Sequence, residues 1–346
     1  MTPDNKRERI ETLLKEGTSE AATSIVQLER GTDSKEVRKA ARRALYLLST
    51  RGIRPALDSV PVTDATTDVP LPETLRAYTT AFDGAGNRIL FFEIPEPDGG
   101  HPTAVQMMIN DLTGVQTCDS VRLNRRDLRN RIQQFERLQG DGLAFVEIAA
   151  DYGRWLLEEA RELLRRQNRT SPSGVLELLP RIGSPRHDYP MSPVYESISV
   201  ESLLSDGTMD RDPTVLFALP WFENWFFAIE DVWHALADWE GVSGTSDADS
   251  SEQLQAQRDT IVREVVTSLL TPGLRSRYVR RLEDSAHVLW GLSHEADAKL
   301  AVIHAQELGA DVPAADVPFA RRLVERTLVV GVATLEQKRA ERARQR

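Results

Sequence analysis

A single cysteine, six lysines and the lack of any long apolar run set the first limits on this 346-residue chain. With Cys118 alone, no intramolecular disulfide can form, and a cysteine-based zinc site is excluded. That usage fits a reducing cytosol. The longest wholly apolar runs are a few residues, so no segment reads as a bilayer span. The opening stretch, MTPDNKRERIETLLKEG, is polar and charged and reads as no secretory signal. These absences lead to the expectation of a soluble, cytoplasmic protein. The scarcity of lysine leaves 37 arginines among the 43 basic residues. Such a bias reflects a GC-rich coding sequence as readily as phosphate recognition. The net charge of −10 argues against a general nucleic-acid binder, although local patches matter more than totals.

The length calls for two or three cores. Residues 6–50 read as a helical hairpin. Ile10, Leu13, Leu14, Ile25 and Leu28 lie along its first helix, which has a break near Gly17. Asp33 or Ser34 caps the second helix, which carries Val37, Ala41, Ala44, Leu45 and Leu48 on one face. The segment Asp33-Ser-Lys-Glu-Val-Arg-Lys-Ala-Ala-Arg-Arg-Ala-Leu-Tyr-Leu-Leu resembles the second helix of a HEAT-type repeat. The resemblance covers about 45 residues and implies a surface for protein partners. That family stacks several repeats, because one pair cannot bury its apolar face, and no second clear copy follows here.

Residues 55–73, with Pro55, Pro61, Pro70 and Pro72, read as a linker. Alternating apolar residues then predict strands at 74–82, 88–94, 103–109 and 115–123, joined by Gly-containing turns at 83–87 and 110–114. This is a four-stranded antiparallel meander, which needs a covering helix. From Asn124 the pattern is helical: 125–138, 146–168, a short helix near 195–205, then 213–240, 251–270, 273–291, 294–309 and 317–343. Residues 170–192 are rich in Pro, Ser and Gly and read as irregular. The expected fold is α+β and predominantly α. It comprises a helical hairpin (1–54), the linker (55–73), a small antiparallel sheet with its covering helix (74–140) and a large helical domain (141–346).

The most unusual stretch is 221–240. As one helix, it would put Phe222, Trp225, Phe226, Ile229, Trp233 and Leu236 on a single core face. Trp221 and Phe227 would fall beside that face, as candidate partner contacts if exposed. Two acid-x-x-His pairs, Asp231/His234 and Asp284/His287, have metal-ligand spacing. However, both acids are Asp rather than Glu, and the helical wheel turns both pairs away from the core. They read as solvated charge. Asp83-Gly-Ala-Gly-Asn87 contains G-x-G but sits between strands, so it reads as a turn. Basic stripes run along Lys35, Lys39 and Arg42, with Tyr46 beside them, and along Arg125, Arg126, Arg129, Arg131 and Arg137. Their aromatic interleaving is poor for nucleic acid. There is no G-x-S-x-G elbow, no phosphate-binding loop and no dinucleotide fingerprint.

The sequence therefore points to a non-enzymatic scaffold or adaptor with a protein partner. Lys35, Lys39, Arg42, Tyr46, Trp221 and Phe227 are its candidate contacts. It points to no catalytic residue, metal, cofactor, nucleic acid or membrane. Two alternatives stand beside it: a hydrolase-like enzyme with its site where the sheet meets the helices, and an RNA-associated factor. A pocket holding His101 or His187 within reach of a carboxylate would favour the enzyme.

Overall fold

A computed structural model describes residues 3–16, single positions between 18 and 44, and then 75–96, 99–137, 144–205, 212–243 and 252–344. The chain divides into two compact units, Met1–Val69 and Pro70–Arg346.

The first unit opens with α1 (Pro3–Glu16). Past Gly17 the helix is restarted by Thr18, whose hydroxyl accepts from the Ala21 amide at 3.1 Å. Ser34 plays the same part for the next helical positions, accepting from Val37 N at 3.5 Å. Ile10, Leu13, Ala22, Ile25, Val37, Ala41 and Ala44 bury one another in a small core. Of the apolar positions expected on the hairpin, Ile10, Leu13, Ile25, Val37, Ala41 and Ala44 are buried and Leu14 and Leu28 partly so, whereas Leu45 and Leu48 lie outside the described residues.

The second unit is α+β and predominantly α. Its sheet contains β1 (Arg76–Thr79), β2 (Asn87–Ile94), β3 (Thr103–Asn110) and β4 (Gly114–Arg122). After α2 (Arg125–Arg137) comes β5 (Val146–Ile148). The order is β4-β3-β2-β1-β5, antiparallel throughout. The expected meander is present, extended by a strand on its β1 edge. Residues 146–148 were expected to start a helix. They instead pair Ala77 with Ile148 and Thr79 with Val146. Helix α3 (Ala150–Arg166) begins just beyond.

Alternation along the strands gives the sheet two apolar faces. Leu90, Phe92, Ile94, Val105, Met107 and Ile109 point inward, where they meet Tyr152, Leu156, Leu157, Ala160 and Leu164 of α3 in the main core. Gly153 lets α3 lie against the sheet, because a Cβ there would come within 2.8 Å of the Ala77 side chain. On the outer face, Tyr78, Phe91, Ala104 and Phe145 pack under Leu128 of α2. Asn124 caps α2, as the sequence suggests, accepting from Asp127 N at 2.9 Å.

Beyond α3 come α4 (Val175–Ile182), α5 (Val200–Ser205), α6 (Pro213–Phe217) and α7 (Trp233–Ser243). The long C-terminal helices are α8 (Glu252–Leu269), α9 (Pro272–Gly291), α10 (Glu295–Gly309) and α11 (Pro318–Arg344). Helix α4 falls in a stretch whose Pro, Ser and Gly content reads as irregular. Its exit is held by Arg154 Nε, which donates to Ile182 O at 2.7 Å. The inner sheet face and these helices share one continuous apolar core. No helix among the described residues is long and apolar enough to cross a membrane.

Candidate functional site

The expected helix over 213–240 does not exist as one element. Helix α6 stops at Phe217, residues 218–228 turn and extend, a 3-10 turn spans Ile229–Val232, and α7 follows. Pro220 lacks the amide that a continuing helix needs, and the wheel drawn across it loses its meaning. Trp221 and Phe227 are buried, which removes them as exposed partner contacts. Trp221 packs its ring 4.9 Å from that of His294, and the Phe227 amide donates to Thr327 Oγ1 at 3.0 Å. Trp233, assigned by the wheel to the core, is 54% exposed. The other candidate contacts, Lys35, Lys39, Arg42 and Tyr46, lie outside the described residues.

The two acid-x-x-His pairs have opposite fates. Asp231 and His234 are exposed, as the wheel suggests. Asp284 is buried and His287 is largely so. Helix α9 is packed on several sides, with Tyr278, Arg281, Leu282, Asp284, Ser285, Ala286, Val288 and Leu289 all buried. A wheel assumes one wide wet face, whereas over these turns α9 keeps only partly exposed positions such as Arg280 and Glu283. No group of three or more potential metal ligands forms among the described residues.

Asp284 is the hub of a buried network. Tyr152 Oη of α3 donates to its Oδ1 at 2.8 Å, and Arg88 of β2 pairs with its Oδ2. Arg280, one turn back on α9, sits with Nε 3.3 Å from Oδ1 and donates from Nη2 to Tyr152 Oη at 3.3 Å. Burial alone would raise the Asp284 pKa, but Arg280 and Arg88 more than offset it and hold the carboxyl below the usual range. Burial, with Asp284 beside it, pushes the Tyr152 phenol up. His287, its ring edge-on to Tyr152 at 5.9 Å, is pushed down by burial. A second clamp stands nearby. Arg281 makes a bidentate pair with Asp111 at 2.5 and 2.8 Å and donates to Gly84 O at 3.1 Å. The turn offering that carbonyl is the Asp83–Asn87 G-x-G segment, with Gly86 at φ +82°.

Above the network lies a cleft of about 280 Å³ between α3 and α9, over the end of the β2–β3 hairpin. Its walls are mostly apolar: Phe82, Ile109, Leu156, Ala160 and Leu163. Its floor carries Arg88 and Asp284, and its rim Asn110, Asp111, Glu159, Ser276, Arg277 and Arg280. The α9 contributions at Gly273, Ser276, Arg277, Arg280 and Asp284 recur every three or four residues, one stripe along the helix. Arg88 is 1% exposed and its guanidinium lies over the Phe82 ring at 4.0 Å. Its Nε has no hydrogen-bond partner. Arg277 makes no ion pair among the described residues. The charged lining is balanced in number, Arg88, Arg277 and Arg280 against Asp111, Glu159 and Asp284, but Asp111 is taken up by Arg281 from outside the cleft.

Of the cleft residues the sequence singles out Asp284 alone, and reads it as solvated charge, which its burial corrects; for Arg88 a signal was there. Arg88 shares strand parity with Leu90, Phe92 and Ile94, so an inward sheet face places a guanidinium among apolar side chains. Asp284 offered no such signal, since its burial depends on what packs around α9.

The isolated histidines divide differently. His101 is exposed. His187 does lie within reach of a carboxylate, with Nδ1 3.0 Å from Asp151 Oδ2. However, its side chain is 75% exposed, and neither residue lines the cleft. Asp151 also accepts from the backbone amides of Arg186 and His187, at 2.8 and 3.1 Å. That makes it an anchor for the loop. No family model, no curated protein and no solved structure matches this chain.

Proposed function

We propose that this chain is a binding protein whose α3–α9 cleft takes a small molecule with an apolar body and an anionic head. The observation carrying the reading is Arg88, a guanidinium buried at the floor of an apolar cleft with an N–H still to satisfy. A buried donor without an acceptor costs about 1–3 kcal/mol, and a carboxylate or phosphate oxygen would recover that. Apolar walls with a few convergent polar groups are the usual make-up of a ligand pocket.

Binding suits the network better than catalysis. Asp284 is held ionised and already faces three donors, so it has no proton to give at neutral pH and little basicity to offer. Arg280 and Arg277, on the α9 stripe, would meet the ligand head as it enters.

The test is calorimetric titration with octanoate, octyl phosphate and octanol. Both acids should bind and raise the melting temperature, and the alcohol should bind at least tenfold more weakly. Ser276→Trp, at an exposed rim position, should block entry without disturbing the core. If neither acid binds at millimolar concentration, or if Ser276→Trp leaves binding unchanged, the reading fails.

A further inference from the structure

The opposite side of the sheet carries a second kind of surface. β4 is the terminal strand, and no other described strand pairs with its outer edge. From Gln116 to Arg122 none of its residues is buried. An open edge of this length is normally blunted by proline, lysine or a bulge that twists it away. β4 contains neither proline nor lysine, and its one irregularity in pairing lies at its start, opposite Met108/Ile109. Its unused backbone donors and acceptors are therefore presented over several residues.

Helix α2 covers only part of the adjoining outer face. Met108 of β3 and Val121 of β4 share that face and remain 39% and 51% exposed. The helix itself brings charge. Arg125, Arg126 and Arg129 are exposed and make no ion pair among the described residues. Arg122, at the end of β4, has only a 3.7 Å approach to Glu96 and is 72% exposed. In a chain with net charge −10, four arginines outnumber the exposed acids beside them, Asp119 on β4 and Asp127 on α2, so the local balance is positive.

We propose that β4 and the exposed flank of α2 form a docking surface for an extended, acidic protein segment. The segment would add as a further strand on β4, place alternate apolar side chains against Met108 and Val121, and set its carboxylates toward Arg122, Arg125, Arg126 and Arg129. The exposed apolar residues Met108 and Val121 on the same sheet face favour a peptide over a phosphate backbone. Among the described side chains this face also offers no exposed aromatic ring for stacking bases, since Tyr78, Phe91 and Phe145 are buried. This surface is separate from the α3–α9 cleft, which lies on the inner side of the sheet.

The experiment is selection of a random-peptide display library on the immobilised full chain, with the triple variant Arg125→Glu/Arg126→Glu/Arg129→Glu as the counter-selection. Enriched sequences should alternate Asp or Glu with apolar residues. A synthetic representative should bind the triple variant at least tenfold more weakly. Hydrogen exchange read out by mass spectrometry should show residues 115–122 protected when the peptide is bound. The triple variant changes only exposed side chains, and its unaltered melting curve would certify the fold. Enrichment without acidic residues, equal binding to the triple variant, or binding that leaves the β4 amides unprotected would overturn the proposal. Retention of random-sequence duplex DNA in place of any peptide would overturn it in favour of a nucleic-acid surface.

Discussion

At the residue scale the decisive group is Asp284. It ties β2, α3 and α9 together through Arg88, Tyr152 and Arg280, all in an apolar setting. A buried pair of this kind adds little over a well-packed apolar substitute, but removing one member strands the rest. Asp284→Asn should therefore destabilise the second unit by about 3–5 kcal/mol, measured by urea unfolding. Because the folded-state carboxyl is held below its usual range, its stabilisation is present above the ordinary carboxylate pKa of about 4 and is lost as pH falls through the lower folded value. The variant should accordingly lose part of the acid limb of the stability profile. His287 acts in the same direction at higher pH. Burial lowers its pKa, so the unfolded chain binds its proton more readily, and stability should decline as pH drops through about 6.5. His287→Phe should flatten that decline, and an unchanged slope between neutral and mildly acidic pH would count against it. The lone thiol gives an independent check on packing. Cys118, half-buried on β4, is pushed up to about 11 by burial and by Asp119 beside it. Because the thiolate is the reactive form, Cys118 should modify slowly with a thiol reagent at neutral pH in the folded chain and quickly once urea unfolds it.

Among the elements, α2 rests on the outer sheet face, among its described side chains, through Leu128, buried there, and Ile132, partly so. Its start therefore leans on the Asn124 cap, and Asn124→Ala should cost about 1 kcal/mol of local stability. Faster hydrogen exchange confined to residues 125–134 would show this, whereas a change spread over the whole second unit would contradict it. The elements also mark where the sequence was readable. β1 to β4 stand out because polar turns punctuate them and alternation survives on both faces. α8 to α11 stand out through length and caps, as at Thr271, whose hydroxyl accepts from Leu274 N, with Pro272 at the first helical position. β5 escaped because three residues show no periodicity and its pairing partner lies about seventy residues upstream. The 218–228 segment escaped because aromatic residues on an extended chain and on a helix give the same composition. Half the site was legible in principle, through the parity of Arg88. The other half was not, because a wheel gives a residue's angle around the helix axis but not what packs there. Asp284 and Asp231 both point away from their own apolar stripes. Only the first meets another element.

The whole molecule is two bodies with very different means of staying folded. Unit Pro70–Arg346 has a core running from the inner sheet face through α9, α10 and α11, with Phe92, Trp225, Leu282 and Phe319 all fully enclosed. Among the described residues, unit Met1–Val69 buries Ile10, Leu13, Ile25 and Val37 together with Ala21, Ala22, Ala41 and Ala44, alanines that remove little apolar surface from water. Buried fraction falls with size, so a unit of this length sits near the margin of independent stability. The charged clamps Arg88–Asp284 and Arg281–Asp111 also lie wholly within the larger unit. Residues 70–346 expressed alone should therefore unfold cooperatively within a few degrees of the main transition of the full chain, and should bind octanoate with unchanged affinity. Calorimetry of the full chain should then add a weaker transition at lower temperature, belonging to the first unit. If residues 70–346 alone lose cooperative unfolding, their core does not suffice, and the small alanine-rich cluster would have to stabilise the larger body by means that its own burial does not reveal.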